Sequence, residues 1–386
     1  MTDFMPTQSK GAGAFAAFDL SRVPSPCFVI DEVRLEENLQ VLAAIGAASG
    51  ANILLALKAF SMWSVAPLVM DYLHGTCASG LWEARLAQTH YGKHLSTYAP
   101  AYKPQEIEEI ASLSHHLIFN TLEQSTRFTL PTDVQVGLRL NPGHSEVAQT
   151  KYDPCAPHSR LGQSLGQLPP SLPPHIQGFH IHSLCEADFP PLQRTLEATL
   201  PFLQQHKAQM AWLNLGGGHL ITSPDYQRED LVAQIKSLRD VLGADIYLEP
   251  GAAIAFDAGI LVGEVLDVMD TDNGKAAILD VSATCHMPDV LEAPYRPALL
   301  GETKGEAVHL GGASCLAGDV IGTYQFETLP PIGSRLAFLD QAHYSMVKTS
   351  TFNGVALPAI ALWNSRNDDL RIIKQFETDE FMRRLS

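Results

Sequence analysis

The stretch I-L-L-A-L-K-A-F-S-M-W-S, residues 53–64, places one lysine, Lys58, at the end of a run of aliphatic residues. A short apolar run of this kind predicts a buried strand, and lysine is rarely buried unless it has a partner. Two interpretations of the lysine are open. Either its amine extends from the strand end into solvent, or it is a desolvated amine of lowered pKa, as Schiff-base chemistry requires.

The strand before Lys58 is one of a series in which short apolar strands alternate with helices. The other predicted strands are G-T-C-A-S (75–79), L-S-T-Y-A-P-A-Y (95–102), H-L-I-F-N (116–120), V-Q-V-G-L-R-L-N (134–141), I-Q-G-F-H-I-H-S (176–183), W-L-N-L-G-G (212–217) and I-Y-L-E-P-G (246–251). Alternation of this kind indicates parallel β/α units. About eight such units fit between residues 33 and 265, which predicts a (β/α)8 barrel of the α/β class.

The pattern changes after residue 265, where helices become rare. Strand-like segments follow one another, namely G-E-V-L-D-V-M-D (263–270), K-A-A-I-L-D-V-S-A (275–283), E-A-V-H-L-G-G-A-S-C (306–315), S-R-L-A-F-L-D (334–340) and Q-A-H-Y-S-M-V-K-T (341–349). We therefore predict a mostly-β domain formed by residues 266–386 and by an early strand within residues 24–32.

The charge balance narrows the choice of partner. The chain has 386 residues and a formal net charge of -16, with 42 acidic residues against 26 lysines and arginines. Nucleic acids and anionic membranes attract basic surfaces, so neither is expected to bind, whereas a cationic ligand is compatible with this charge.

The cysteines and the N-terminus indicate the compartment. None of the six cysteines forms a C-x-x-C pair, and no secretory signal or long apolar segment is evident. A reduced, cytoplasmic protein is therefore expected.

Polar residues stand at the ends of five of the predicted strands: Lys58, Arg139, His182, the run Gly216–Gly218 and Glu249. Barrel enzymes build their sites from the carboxyl ends of strands, so these residues are expected on one rim. The glycine run either presents backbone N–H groups to a phosphate or forms a tight turn. Glu249 either holds the proton of a pyridinium nitrogen or forms a salt bridge within the barrel.

His180 and His182 share one face of a strand, because side chains alternate along it. An H-x-H pair can bind a metal ion. The sequence shows no further cluster of histidine and acidic residues, so no metal site is expected.

Several longer motifs carry a family resemblance. They include A-L-K-A-F-S-M-W-S-V, T-C-A-S-G-L-W-E-A-R-L-A, H-I-H-S-L-C-E, L-N-L-G-G-G-H, S-A-T-C-H-M-P-D-V-L-E, G-G-A-S-C-L-A-G-D-V-I-G and A-H-Y-S-M-V-K-T-S-T-F-N-G-V. From about residue 24 to about 365, the chain resembles the carboxynorspermidine decarboxylases. These enzymes use pyridoxal phosphate, combine an alanine-racemase-like barrel with a C-terminal β domain, and are related to diaminopimelate and ornithine decarboxylases.

The resemblance implies a role for each rim residue. Lys58 would bind pyridoxal phosphate covalently, His182 would pack on its ring, and Glu249 would pair with its ring nitrogen. The residues expected at the phosphate are Gly216, Gly217, Gly218 and Tyr344.

The resemblance also implies residues beyond the phosphate and the ring acid. Arg139 would lie near the ring. Cys315 and Asp319 would reach the site from the partner subunit of a homodimer. Cys315 is the candidate proton donor, and Asp319 and Asp289 are the candidates for binding the ammonium groups of the substrate.

Two positions depart from the wider group. Ala252 follows E-P-G, where many members have arginine, and Leu300 replaces the tyrosine of diaminopimelate decarboxylases. The implied activity is decarboxylation of carboxynorspermidine, carboxyspermidine or both to norspermidine or spermidine, in polyamine biosynthesis. The sequence leaves the choice between the two substrates open.

Three alternatives compete with this activity. One is a pyridoxal-phosphate-binding regulator without catalytic activity. Another is an amino-acid racemase or a diaminopimelate-type decarboxylase of the same fold. A metal-dependent amidohydrolase barrel that uses H-I-H is disfavoured, since its histidine pair would be expected early in the chain.

Overall fold

The structure, a computed structural model, describes residues 8–386 and divides into two compact units. Glu36–Ile254 form one unit, and residues 8–35 form the other together with Ala255–Ser386. The predicted boundary at residue 265 falls inside a strand, Gly259–Thr271. The barrel unit is therefore shorter than predicted, because this strand belongs wholly to the β unit.

The barrel unit contains a closed parallel barrel, which confirms the predicted fold class. Its strands run in the order β5-β4-β3-β2-β10-β9-β8-β6, and pairing of β5 with β6 closes the ring, while the short strand β7 adds to β6. Their bounds are β2 Asn52–Ala56, β3 Gly75–Ala78, β4 His94–Tyr98, β5 His116–Phe119, β6 Gln135–Asn141, β7 Gln163–Ser164, β8 Ile176–Ile181, β9 Trp212–Asn214 and β10 Asp245–Leu248; β1 is Cys27–Asp31.

Helices follow most of the barrel strands. They are α1 Glu32–Ser49, α2 Ala66–Tyr72, α3 Leu81–His90, α4 Ile107–Leu113, α5 Phe189–His206, α6 Arg228–Leu242 and α7 Ala252–Ala255. In helix α6, Leu231, Ile235, Leu238 and Leu242 recur at helical spacing and are buried, and Gly243 ends the helix in a left-handed conformation (φ 69°). Among residues 8–386, no helix is long and apolar enough to cross a membrane.

A single indole fills much of the barrel interior. Trp212 is 1% exposed and packs with Leu54, Ile118 and Tyr247. A Cβ atom at Gly137 or at Gly178 would come within 2.2 or 2.0 Å of this indole. The two glycines therefore make room for the tryptophan on the strands beside it, β6 and β8.

Imidazoles close the amino-terminal end of the barrel. The ring of His116 stacks on Trp212 with centroids 4.1 Å apart, and His94 lies 4.5 Å from His116. Burial lowers the pKa of His94 to about 3 and the pKa of His116 to about 2. Both rings are therefore neutral packing groups at neutral pH, at the end of the barrel opposite the carboxyl ends of its strands.

The β unit is an eight-stranded sheet in the order β14-β13-β12-β11-β1-β16-β17, with β15 paired to β11. Its remaining strands are β11 Gly259–Thr271, β12 Gly274–Leu279, β13 Glu306–Gly312, β14 Val320–Phe326, β15 Arg335–Leu339, β16 Ala359–Asn364 and β17 Asp369–Lys374, and its helices are α8 Ala283–His286, α9 Asp289–Glu292 and α10 Thr378–Leu385. Strand β1 pairs antiparallel with β11 and parallel with β16. The two ends of the chain thus share one sheet.

The core of the β unit lies under this sheet. Its buried side chains are Phe15, Phe18, Val23, Cys27, Val29, Ile260, Val262, Ala337, Leu339, Ala359, Ala361 and Trp363.

One predicted strand of the β unit is wrong. Residues 341–349 form consecutive turns. Asp340 and Tyr344 adopt left-handed backbone conformations with φ of 57° and 49°, which a strand does not accept.

Candidate active site

Lys58 lies two residues beyond the end of β2, in a turn with buried neighbours. Leu57, Ala59 and Phe60 are each at most 1% exposed and fix the backbone around it. The lysine side chain itself is exposed, and its Nζ lies 3.5 Å from Nε2 of His182. The amine is therefore accessible at the barrel mouth, and the burial that the desolvated interpretation assumes is not seen. A role for Lys58 in covalent binding stays a prediction.

His182 follows β8, and the protein fixes which ring nitrogen carries the proton. The backbone N–H of Gly217 donates to Nδ1 of His182 over 2.9 Å. Burial and the charges of Lys58 and Arg139 hold the pKa of His182 well below its usual range. The ring is therefore neutral with its proton on Nε2, the nitrogen that faces Lys58.

Glu249 follows β10 and is 7% exposed. Nε2 of His180 lies 3.2 Å from Oε2 of the glutamate, and the amide Nδ2 of Asn214 donates to Oε1 over 2.6 Å. Burial alone would raise the pKa of Glu249, but His180, Asn214 and the charge of Lys58 outweigh it and lower the pKa. The carboxylate is thus held ionised and oriented inside the barrel.

A second layer of planar side chains lies beside this carboxylate. The rings of Tyr98 and His180 stack with centroids 5.4 Å apart, and the guanidinium carbon of Arg139 lies 4.5 Å from the centre of the tyrosine ring. Arg139 is 5% exposed and donates to the backbone oxygen of His182 over 3.0 Å. The arginine therefore supports the residue after β8 as well as the tyrosine.

The three residues after β9 are glycines chiefly because there is no space for a Cβ atom at these positions. A Cβ atom at Gly217 would come within 2.1 Å of the backbone oxygen of Glu249, and one at Gly218 within 2.1 Å of that of Leu184. Gly216 and Gly218 also adopt left-handed conformations, with φ of 69° and 82°. Without side chains, this turn packs directly against the backbone segments that follow β8 and β10.

Two of the three glycine N–H groups already have protein acceptors. Gly216 donates to the side-chain Oδ1 of Asn214 over 2.8 Å, and Gly217 donates to His182. Asn214 thus links the glycine turn to the carboxylate of Glu249. A phosphate bound here would use the N–H of Gly218 or displace one of these bonds.

The other predicted site residues lie in the β unit. Cys315 is exposed, and Asp319 is buried. Asp289 accepts from Nζ of Lys348 over 2.6 Å. Tyr344 is partly buried, and its left-handed backbone is the kind of strain that clusters at functional sites.

The sequence predictions missed three residues of the barrel site, namely Tyr98, Asn214 and the role of His180 beside Glu249. Each is a polar residue in a strand that otherwise reads as buried, and this is the signal that could have identified them. Nδ1 of His180 is buried and has no hydrogen-bond partner among residues 8–386.

The site also has the geometry of a metal-binding group, which the sequence did not predict. One ligand atom from each of His180, His182 and Glu249 lies within 4.8 Å of the others. Hydrogen bonds to Gly217 and Asn214 already occupy one nitrogen of His182 and one oxygen of Glu249.

Together these residues fit pyridoxal phosphate. The barrel mouth holds an accessible amine on Lys58, an oriented imidazole on His182 and a buried anionic acceptor on Glu249. The glycine turn has no space for side chains but offers backbone N–H groups. An amine, an imidazole, a carboxylate and a glycine turn are groups that can bind the carbonyl, the ring, the ring nitrogen and the phosphate of that cofactor.

Comparison with known proteins agrees with this chemistry. Residues 27–342 match the family described as pyridoxal-dependent decarboxylase, C-terminal sheet domain. The chain belongs to this family. The match confirms the predicted enzyme class, a carboxy-lyase, and its cofactor, pyridoxal phosphate.

Two curated relatives and one solved structure place the chain within the family. It is 41% identical to a carboxyaminopropylagmatine decarboxylase of Synechocystis sp., over 95% of this chain and 96% of that protein. It is 38% identical to a carboxynorspermidine/carboxyspermidine decarboxylase of Campylobacter jejuni, over 93% and 98%. A crystal structure of carboxynorspermidine decarboxylase from C. jejuni with norspermidine matches with a TM-score of 0.85 at 36% identity, over 94% of this chain and all of that one. The predicted resemblance to carboxynorspermidine decarboxylases is therefore confirmed.

Substituting Gly217 by alanine tests the crowding at the glycine turn. We expect Gly217→Ala to lower the free energy of unfolding by about 1–3 kcal/mol, because the methyl group overlaps the backbone of Glu249. It should also weaken the binding of pyridoxal phosphate, measured by fluorescence titration.

Gly166→Ala is the matched control, since a Cβ atom there meets nothing within 4 Å. Equal stability and equal cofactor affinity of the two variants would contradict the proposed role of the turn.

Proposed function

We propose that this protein removes CO2 from carboxynorspermidine, carboxyspermidine or both, and produces norspermidine or spermidine in polyamine biosynthesis. The observation that carries the proposal is the barrel mouth, where Lys58, His182 and Glu249 meet. The relatives support the substrate class, because the one bound to norspermidine covers this chain over 94% of its length. The formal charge of -16 suits a cationic substrate.

The predicted cofactor residues would hold pyridoxal phosphate as follows. Lys58 would be the residue for covalent attachment, and Arg139 would lie near the ring. The residues for the phosphate would be Gly216, Gly217, Gly218 and Tyr344. Pyridoxal phosphate, when bound, supplies an electron sink for the electron pair that remains after CO2 leaves.

Glu249 holds a proton at the ring nitrogen. His180 and Asn214 stabilise its negative charge, each at a different carboxylate oxygen. A protonated ring nitrogen would therefore form a charge-assisted hydrogen bond with the carboxylate. His182, held by Gly217, presents one ring face to the cofactor and excludes water from that side.

Cys315 returns a proton to the substrate. Its thiol gives its proton to the α carbon that CO2 has left, and the resulting thiolate recovers a proton from water. The thiol is exposed, as this role requires.

We further propose a homodimer in which Cys315 acts in the site of the partner subunit. Exposed apolar side chains support an interface there. Leu316 and Val320, near Cys315 in sequence, are 45% and 43% exposed, and Phe352, next to the Asn353 that accepts from Cys315, is 48% exposed.

The two proposed substrate-binding acids differ in their surroundings. Asp289 already pairs with Lys348, which a substrate ammonium would have to replace. Asp319 is buried and hydrogen-bonded, so its part in substrate binding is the weaker proposal.

A second substrate is favoured by one comparison. The relative at 41% identity is named for carboxyaminopropylagmatine, which differs in chemistry from a carboxylated triamine. A cytoplasmic location also stays a prediction, supported by six free cysteines and tested by cell fractionation.

The proposed activity is tested with purified protein and each of four compounds: carboxynorspermidine, carboxyspermidine, carboxyaminopropylagmatine and diaminopimelate. We expect CO2 release and the corresponding amine, identified by mass spectrometry, from a carboxylated triamine and none from diaminopimelate. Lys58→Ala should lower the rate by more than about 10³-fold and remove the visible absorbance of the bound cofactor. Lys103→Ala, which changes an exposed lysine of the same unit, is the control.

Release of no CO2 from any compound would leave a regulator or a racemase as the function. Turnover of carboxyaminopropylagmatine alone would favour the second substrate.

Mixing two inactive variants tests the shared site. If Cys315 acts in the partner's site, subunit exchange in an equimolar mixture of the Lys58→Ala and Cys315→Ala proteins should restore activity. Half of the dimers are then hybrids, and each hybrid has one intact site of two. We therefore expect about a quarter of the wild-type activity. A mixture that stays inactive although exchange is shown by mass spectrometry would contradict the shared site.

A further inference from the structure

Cys315 lies on the loop between β13 and β14, which we define as residues 313–319 and call the Cys315 loop. Five of its seven residues are exposed, and Asp319 alone is buried. An exposed loop orders a thiol poorly unless other groups hold it. The contacts that hold this loop therefore decide where the thiol lies.

The carboxylate of Asp319 fixes one end of the loop. Its Oδ2 accepts from the hydroxyl groups of Ser282 and Ser314 over 2.8 and 2.6 Å, and its Oδ1 accepts from the backbone N–H of Thr284 over 3.1 Å. The residue is 4% exposed. Both oxygens are thus engaged by the protein, and one of the donors, Ser314, is the residue directly before Cys315.

The loop is also closed on itself and against the sheet. The backbone N–H of Asp319 donates to the oxygen of Leu316 over 2.9 Å, and the N–H of Gly312 donates to the oxygen of Asp319 over 2.9 Å. Gly312 is required here, because a Cβ atom would come within 2.4 Å of Oδ2 of Asp319.

Asn353 holds the middle of the loop from a distant part of the chain. Its side-chain Oδ1 accepts from the backbone N–H of Cys315 over 2.6 Å. Asn353 has a left-handed backbone conformation with φ of 61°, which asparagine tolerates better than most residues. The left-handed backbone of Asn353 brings its side-chain oxygen to the N–H of Cys315.

We propose that Asp319 and Asn353 are positioning residues for the Cys315 thiol, and this proposal rests on the proposed function of Cys315 as a proton donor. Asp319 acts through Ser314 and the loop backbone, and Asn353 acts through the N–H of Cys315. Asp319 is therefore a part of the loop's framework and not the group that binds a substrate ammonium.

The physical reason is geometric. Proton transfer from a side chain requires approach to hydrogen-bond distance, and a displacement of about 1 Å can slow an enzyme by about 10²-fold. A loop with no regular structure achieves this placement only through fixed contacts at each end and at the thiol-bearing residue.

Asn353→Gly tests the proposal most cleanly, because glycine accepts the left-handed backbone and removes only the side-chain acceptor. We expect amide hydrogen exchange in residues 313–319, measured by mass spectrometry on the holoenzyme, to become faster by about tenfold or more. The value of kcat should fall by about 10-fold to 10²-fold with KM changed less than about twofold. Asn353→Asp keeps the acceptor and should restore both values.

Asp319→Asn is the second variant, and it should behave like Asn353→Gly in both measurements. A raised KM with unchanged kcat and exchange in Asp319→Asn would overturn its assignment and return it to substrate binding. Unchanged exchange and kcat in Asn353→Gly would overturn the proposal for Asn353.

The exchange measurement does not depend on the role of Cys315. If Cys315→Ala retains full activity while Asn353→Gly loosens the loop, the framework is real but the proposed function of the thiol fails.

Discussion

The site depends on one buried negative charge. Glu249 is removed from water at the end of β10, where an ionised carboxylate is costly unless donors surround it. His180 and Asn214 supply those donors from β8 and β9, the strands that follow β10 in the sheet order. Since Asn214 also accepts from Gly216, the same side chain fixes both the acid and the glycine turn. The buried acid and the glycine turn, which we propose for the ring nitrogen and the phosphate, are therefore joined by one connected set of hydrogen bonds.

Parallel strand order explains why residues far apart in sequence act together. Lys58, His182, Asn214 and Glu249 each follow or end a strand, and in a closed parallel barrel these ends form one rim. The opposite end is occupied by neutral imidazoles and an indole that only pack. The proposed chemistry and the aromatic packing are thus at opposite ends of the barrel.

The sequence could predict the barrel and the rim residues because apolar strands and polar strand ends are local patterns. It could not predict that Lys58 is exposed, since exposure depends on how Leu57, Ala59 and Phe60 pack. It missed Asn214 and the role of His180, because partners of a buried acid are chosen by strand register. It placed a strand over residues 341–349, where left-handed residues force turns. The triglycine run was identified from its phosphate chemistry, but the structure shows that crowding against the backbone of Glu249 requires it first.

If the proposed function is right, Glu249 keeps the ring nitrogen of the bound cofactor protonated. Nitrogen-15 NMR of holoenzyme loaded with labelled pyridoxal phosphate reports the protonation of that nitrogen directly. We expect a protonated nitrogen in the wild type and in Glu83→Gln, which changes another carboxylate of the barrel unit. In Glu249→Gln we expect an unprotonated nitrogen. An identical nitrogen chemical shift in all three proteins would contradict it.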